Sequence, residues 1–182
     1  MTYYKCLKTG GKSAWGGTGT WHVPNGKPGK WMPKIVGKLV PCECGYHICT
    51  ADQLVYWLSD EIYEVECSGA TINCDNKSVV QRARLIRKLD TWNERTARLF
   101  ACDCAERALT HVAEPDRRSV EAIRVARLHA NGKTSTEELR AAYAAAYAAA
   151  RVAYAARAAH RAAEATERKW QADRLKRYLE IK

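Results

Sequence analysis

The spacing of apolar positions changes character near residue 80 of the 182-residue chain. Before that point the apolar runs are short and alternate with polar residues. TYYKCLK (2–8) predicts a short strand. EIYEVEC (61–67) sets Tyr63, Val65 and Cys67 against Ile62, Glu64 and Glu66, the period of a half-exposed strand, and ATINC (70–74) predicts another after Gly69. Between them, TADQLVYWL (50–58) puts Leu54, Trp57 and Leu58 on one helical face, with Thr50 and Gln53 spaced as a capping box. Asn25-Gly26 and Pro28-Gly29 lie between WHV and KWM and predict a turn, and with it a hairpin. VVQRARLIRKL (79–89) fits a closing strand as well as the start of a helix.

Beyond residue 90 the period is helical. TWNERTARLFACDCAERALTHV (91–112) predicts a first helix, with Trp92, Leu99, Phe100 and Leu109 as its apolar positions. A second runs from Pro115 to a stop at Asn131-Gly132. A third is capped by Thr134 or Ser135, Thr134 with Glu137 fitting a capping box. It either runs some way to YLEIK or breaks near Thr166. The expected fold class is α+β: a small mixed α/β domain over residues 1–90, then an alanine-rich antiparallel helical bundle over 91–182.

Composition sharpens that division. Ten of the eleven glycines and four of the five prolines precede residue 80. Net charge is +10, with 12 basic and 8 acidic residues in 1–90 against 18 and 12 in 91–182. A surplus spread this evenly attracts acidic partners weakly and does not make the dense patch of a dedicated nucleic-acid surface. MTYYKCLKTGG lacks the apolar core of a signal peptide, and no stretch approaches the roughly 20 apolar residues of a membrane span. A cytoplasmic protein with mostly reduced cysteines and no membrane partner is expected.

Three stretches carry candidate chemistry. CLKTGGKS (6–13) ends like a phosphate-binding P-loop, but Cys6 stands where its first glycine belongs and AWGGTG is a poor helix start. It reads as a plain glycine loop. PCECGYHIC (41–49) holds Cys42, Cys44, His47 and Cys49, candidate zinc ligands. In an extended chain, however, Cys42 and Cys44 face one side while His47 and Cys49 face the other. Either Gly45 bends the chain to gather them, or Cys67 and Cys74 complete a site, or the segment is a strand of buried thiols. No cofactor is otherwise expected. Cys102 and Cys104 lie about 200° apart on a helix and form no chelating pair. The third stretch is the alanine tract. At about 100° per residue, Leu139, Tyr143, Tyr147, Arg151, Tyr154, Arg157 and Arg161 share one stripe. The stripe is either a core seam with snorkelling arginines or an exposed binding face, since tyrosine and arginine anchor many interfaces.

RTARLFACDCAERAL followed by EPDRRSVEAIRVARLHANG and the alanine tract resembles the alanine-rich helical immunity-protein family of bacterial polymorphic-toxin systems. The likeness rests on an A-x-x-C-A-E-R-x-L helix, a P-D-x-R-x-x-x-A-I turn, a glycine stop and alanine-rich helices, over roughly residues 95–165. It implies a protein partner. The N-terminal part is similar to a small domain frequent in phage proteins, through Cys42, Gly45, Tyr46, His47 and Cys49, then Tyr63, Val65, Glu66 and Gly69. That implies a phage or prophage setting. The same Y-x-V-E-x-x-G strand is fainter in its likeness to ADP-ribosyltransferase-like folds.

Three functions follow as expectations. One is a non-enzymatic protein-binding module that neutralises a toxin or host defence factor, anchored by Tyr143, Tyr147, Arg151, Tyr154, Arg157 and Arg161. Another is a basic nucleic-acid binder with helices at 82–98 and 140–177 and zinc in its N-terminal part. The last is a nucleotide-using enzyme with His47 in a glycine-rich cleft.

Overall fold

The computed structural model describes residues 1–153 and 164–181, with the backbone alone for 145–153 and 164–165. Its α+β architecture is the expected class: five antiparallel strands, then four helices. The chain divides into two compact units, Met1–Trp92 with Ala172–Lys182, and Asn93–Gln171.

In the first unit the strands are β1 (Tyr3–Lys8), β2 (Lys12–Ser13), β3 (Tyr46–Ile48), β4 (Glu61–Asn73) and β5 (Ser78–Lys88), in sheet order β2-β1-β4-β5-β3. Residues 79–89, left between strand and helix by periodicity, are strand as far as Lys88, because alternate side chains Ala83 and Leu85 enter the apolar core. EIYEVEC and ATINC form one strand, not two. Gly69 sits in a bulge between Ser68 and Thr71 at φ +83°, where a Cβ would press on the Gln81 side chain. The bulge bends β4 without ending it. The strand order then closes on itself: Tyr4 and Cys49 exchange both amide bonds, at 2.8 and 2.9 Å.

Two local expectations give way. The hairpin predicted around Asn25 to Gly29 does not form. Instead Gly29, Met32 and Ile35 donate to the carbonyls of Leu85, Ala83 and Gln81 along β5. Every third donor meets every second acceptor, and Pro28 and Pro33 have no N–H, so no ladder can propagate. The helix expected over 50–58 is a single 3-10 turn, Leu54–Tyr56. Thr50 does receive its bond, N–H to Gln53 Oε1 at 3.0 Å. Gln53 and Trp57, however, spend their side-chain donors on carbonyls of Cys74, Asp75 and Asn76, which ties the segment to the β4–β5 turn.

The core of this unit gathers Leu7, Trp21, Ile48, Tyr63, Val65 and Leu85. Near the chain's end, Leu175 and Leu179 are also buried, and Lys176 reaches Asp52 at 2.8 Å.

The second unit contains α1 (Glu94–Leu109), α2 (Arg117–Ala130), α3 (Thr136–Ala153) and the start of α4 (Glu164–Leu179). Asn93 and Thr96 form a reciprocal capping box on α1, and Asp116 caps α2. The box at the start of α3 pairs Ser135 with Glu138, one residue later than Thr134 with Glu137. Thr134 still bonds the same Glu138 carboxylate through its hydroxyl. Thr166 lies inside α4 and is no break. The core cluster here is Cys102, Val125, Ala126 and Leu139, and Leu99 and Phe100 of α1 are buried too. Among the described residues no helix is long and apolar enough to cross a membrane.

Candidate functional site

The seam where β1 meets β3 borders a cleft of about 630 Å³. Only one residue pair closes that seam. Lys5, next to Tyr4, donates from Nζ to the His47 carbonyl at 3.0 Å, and its ammonium lies 5.4 Å from the centre of the Trp21 ring. Across the cleft, the Lys77 ammonium lies 5.2 Å from the Trp57 ring and 2.9 Å from Cys42 Sγ. Trp15, on the glycine-rich loop, is exposed and donates from Nε1 to the Trp57 carbonyl at 3.0 Å. The two indoles meet edge to face, 6.3 Å apart.

His47 stands in the wall of this cleft. Its Nε2 accepts the Cys42 backbone N–H at 3.1 Å, which puts the proton of the neutral ring on Nδ1. Burial, then the positive charges of Lys77 and Lys5, hold its pKa below the ordinary histidine value. The ring is therefore neutral at pH 7, but the lone pair a general base would use is occupied. Burial also lowers the pKa of Lys5.

The four cysteine and histidine candidates are not gathered around one point. PCECGYHIC is a turn over 41–44 and a strand only over 46–48. Gly45, at φ +136°, makes the bend, and a Cβ there would strike Val79 Cγ1. Cys42 is exposed in the turn at φ +70°, a strained conformation for a residue with a side chain. Cys44 bridges to Val40. Cys49 is buried with its Sγ 3.6 Å from the Tyr4 carbonyl, and its closeness to Cys6, with burial, pushes the Cys6 thiol well up. Cys42 and His47 do come together, through the backbone bond. Among the described residues, no group of three or more His, Cys, Asp or Glu side chains is arranged to hold a metal ion. The glycine run TGGK forms the β1–β2 hairpin turn, not a loop into a helix.

In the second unit the tyrosine-arginine stripe divides at its first two members. Leu139 is buried in the core, whereas Tyr143 is 46% exposed. Tyr147 and Arg151 lie on α3, where the backbone alone is described; Tyr154, Arg157 and Arg161 fall outside the described residues. The basic helix expected from residue 82 is strand β5 as far as Lys88, and its charges are matched across the sheet. Arg84 pairs with Glu66 at 2.6 Å, Lys88 with Glu61 at 2.7 Å, and Arg87 with Glu64.

The landmarks of the helical region do internal work. Asp116 accepts from the Arg118 backbone at 2.8 Å and grips its guanidinium, so P-D-x-R is a cap with a clamp. Asp103, 5% exposed, and Glu106 on α1 both hold Arg127 of α2, at 2.9 and 2.7 Å. Arg107 reaches Glu167 at 3.1 Å, and His111 shares that carboxylate at 3.0 Å. Gly132, at φ +68°, follows the end of α2.

Residues 87–166 match the family model described as Imm-5 like putative immunity protein. The C-terminal region is immunity-protein-like. A protein partner is what such a family suggests in general, and a protein-binding immunity role is consistent with the match. No curated protein and no solved structure matches the chain.

Sequence reading reached His47 and Cys42 through their cluster but missed Lys5, Lys77, Trp15 and Trp57, which are scattered over more than seventy positions. One signal was available. A tryptophan set among glycines, in AWGG, has little local structure to bury it.

Proposed function

We propose that this chain is a non-enzymatic protein-binding module that neutralises a partner, a bacterial toxin or a host defence factor. The observation that carries the reading is the immunity-family match over residues 87–166. The geometry supports it in a specific way. Glu106 and Arg107 are committed to holding helices together and Asp116 to capping α2, so the partner is met by other residues. Tyr143 of α3 is 46% exposed while bonding Arg98 of α1, and in the sequence it begins the stripe of Tyr147, Arg151, Tyr154, Arg157 and Arg161. Aromatic and arginine anchors of this type dominate binding energy at interfaces. The surplus of ten positive charges steers the chain toward an acidic partner. Neutralisation by occlusion needs no cofactor.

Co-expression with toxins encoded beside its own gene tests the reading. Rescue of growth, with a stoichiometric complex on size-exclusion chromatography, is expected. The triple variant Tyr143→Ala, Tyr147→Ala, Tyr154→Ala should lose rescue while keeping its helical circular dichroism. Gel shift of DNA or RNA at low salt, lost steeply as salt rises, together with no protein complex, would replace this reading by nucleic-acid binding.

A further inference from the structure

The first unit holds a feature that neutralisation through α3 does not use. Lys5 and Lys77 face one cleft, and among the described residues neither has a carboxylate partner. The single carboxylate on the cleft wall is that of exposed Glu43. Of the other basic side chains in this unit, Arg84, Arg87, Lys88 and Lys176 have acids within bonding distance, and Arg82 stacks on the Trp31 ring. Each half-buried ammonium has only neutral partners, a carbonyl and a ring for Lys5 and a thiol and a ring for Lys77, so its charge is unneutralised and the shared cavity makes a place for an anion.

The walls between the two lysines are aromatic. Trp15 and Trp57 stand nearly perpendicular at 81°, so a flat ring stacked on one would be met by the edge of the other. Trp15 is held 65% exposed at φ +57°, a strained backbone for a bulky residue. The glycines after it leave the approach to its ring free of side chains. Donors suited to sugar hydroxyls or a base edge are at hand in Ser13 and Thr18 on the lining. The volume, about 630 Å³, lies in the range of small-molecule sites.

We propose that this cleft is a mononucleotide site, with Lys5 and Lys77 on the phosphate and the Trp15–Trp57 pair on the base. The chemistry is binding, not turnover: the His47 Nε2 lone pair is taken by the Cys42 amide. The site is independent of the neutralising role and stands or falls without it.

Isothermal titration and tryptophan fluorescence on the full chain test it, with AMP, GMP, CMP and UMP as probes. Adenosine, ribose 5-phosphate and inorganic phosphate serve as partial ligands. At least one nucleotide should saturate the protein and quench its tryptophans, each partial ligand binding about tenfold or more weakly. Lys77→Met should weaken the nucleotide about tenfold or more, Lys77→Arg less, and Trp15→Ala about fivefold, with thermal stability unchanged in the tryptophan variant. No saturation by any nucleotide at millimolar concentration overturns the proposal. So does adenosine binding as tightly as AMP, which removes the anion, or phosphate binding as tightly, which removes the ring. Affinity indifferent to both Lys77→Met and Trp15→Ala would place the ligand elsewhere and overturn it as well.

Discussion

The two units solve the problem of a core in opposite ways. The sheet unit buries large side chains, Tyr63, Leu7, Ile48 and Leu85 among them, inside a sheet whose ends meet. The helical unit buries Leu99, Phe100 and Leu139 as well, but Cys102, Val125 and Ala126 fill out the cluster that joins its helices, small groups that bring helices close and yield less hydrophobic energy each. It makes up the difference with charge: Arg127 between Asp103 and Glu106, Arg107 on Glu167. Packing dominates the first, and ion pairs between helices matter in the second. The difference teaches where each unit is vulnerable, and why the sequence landmarks of the helical unit are charged residues rather than apolar ones.

The comparison is most sharply tested in the sheet core. Tyr63→Ala removes a 2% exposed ring and the 2.8 Å bond its hydroxyl donates to Glu61, and should cost about 3–5 kcal/mol. Hydrogen exchange read by segment should show the loss in β1, β4 and β5. An equal loss in α1 and α2 would break the picture of two separately held units. In the helical unit, Arg127→Met takes the cation from a buried carboxylate and should cost roughly 2–3 kcal/mol in urea denaturation. A neutral result would show that small-residue packing alone holds these helices. Asn93→Ala removes one half of the α1 capping box and should cost about 1 kcal/mol, seen as faster exchange in the first turn of α1.

Acid should reach both units, since Arg107 and His111 hold Glu167 of the helical unit below the ordinary carboxylate value just as Glu61 is held in the sheet unit. Burial of Glu61 works against its charge, but the bonds from Lys88 and Tyr63 prevail and hold its pKa below the ordinary carboxylate value. A carboxyl lowered on folding contributes stability above the unfolded value, near 4.3, that is lost as pH falls through the folded one. The sheet unit should therefore loosen as pH drops below about 4, and Lys88→Met should flatten that dependence. At the small end, Glu121→Gln breaks only the solvent-exposed pair with Arg124 and should leave the melting temperature unchanged. A measurable drop there would mean that exposed pairs, too, hold the helical unit.

Much of the helical unit was legible because its signals are local. Pro115 marks the start of α2, Asn131-Gly132 its stop, and a capping box opens α3, read one residue early as Thr134 with Glu137. The alternation of EIYEVEC gave the strand for the same reason. What failed was set from afar. A hairpin at Asn25-Gly26 was plausible locally, yet the carbonyls of β5 offered the segment better partners. The helix at 50–58 lost to the β4–β5 turn, which took its side-chain donors. The cysteine-histidine cluster divides: the turn at Cys42 brings its amide to His47, while Cys49 is buried against Tyr4.

By itself the sequence determined the α+β class, the charge, the helix caps and the likeness to immunity proteins, since composition and short-range spacing carry all four. Only the tertiary structure decided that the sheet closes through Tyr4 and Cys49, and that Lys5, Trp15, Trp57 and Lys77 border one cleft. The physical reason is distance along the chain. Sheet register is fixed by burying the alternate faces of strands far apart in sequence, and no local pattern records which remote side chains that register brings face to face.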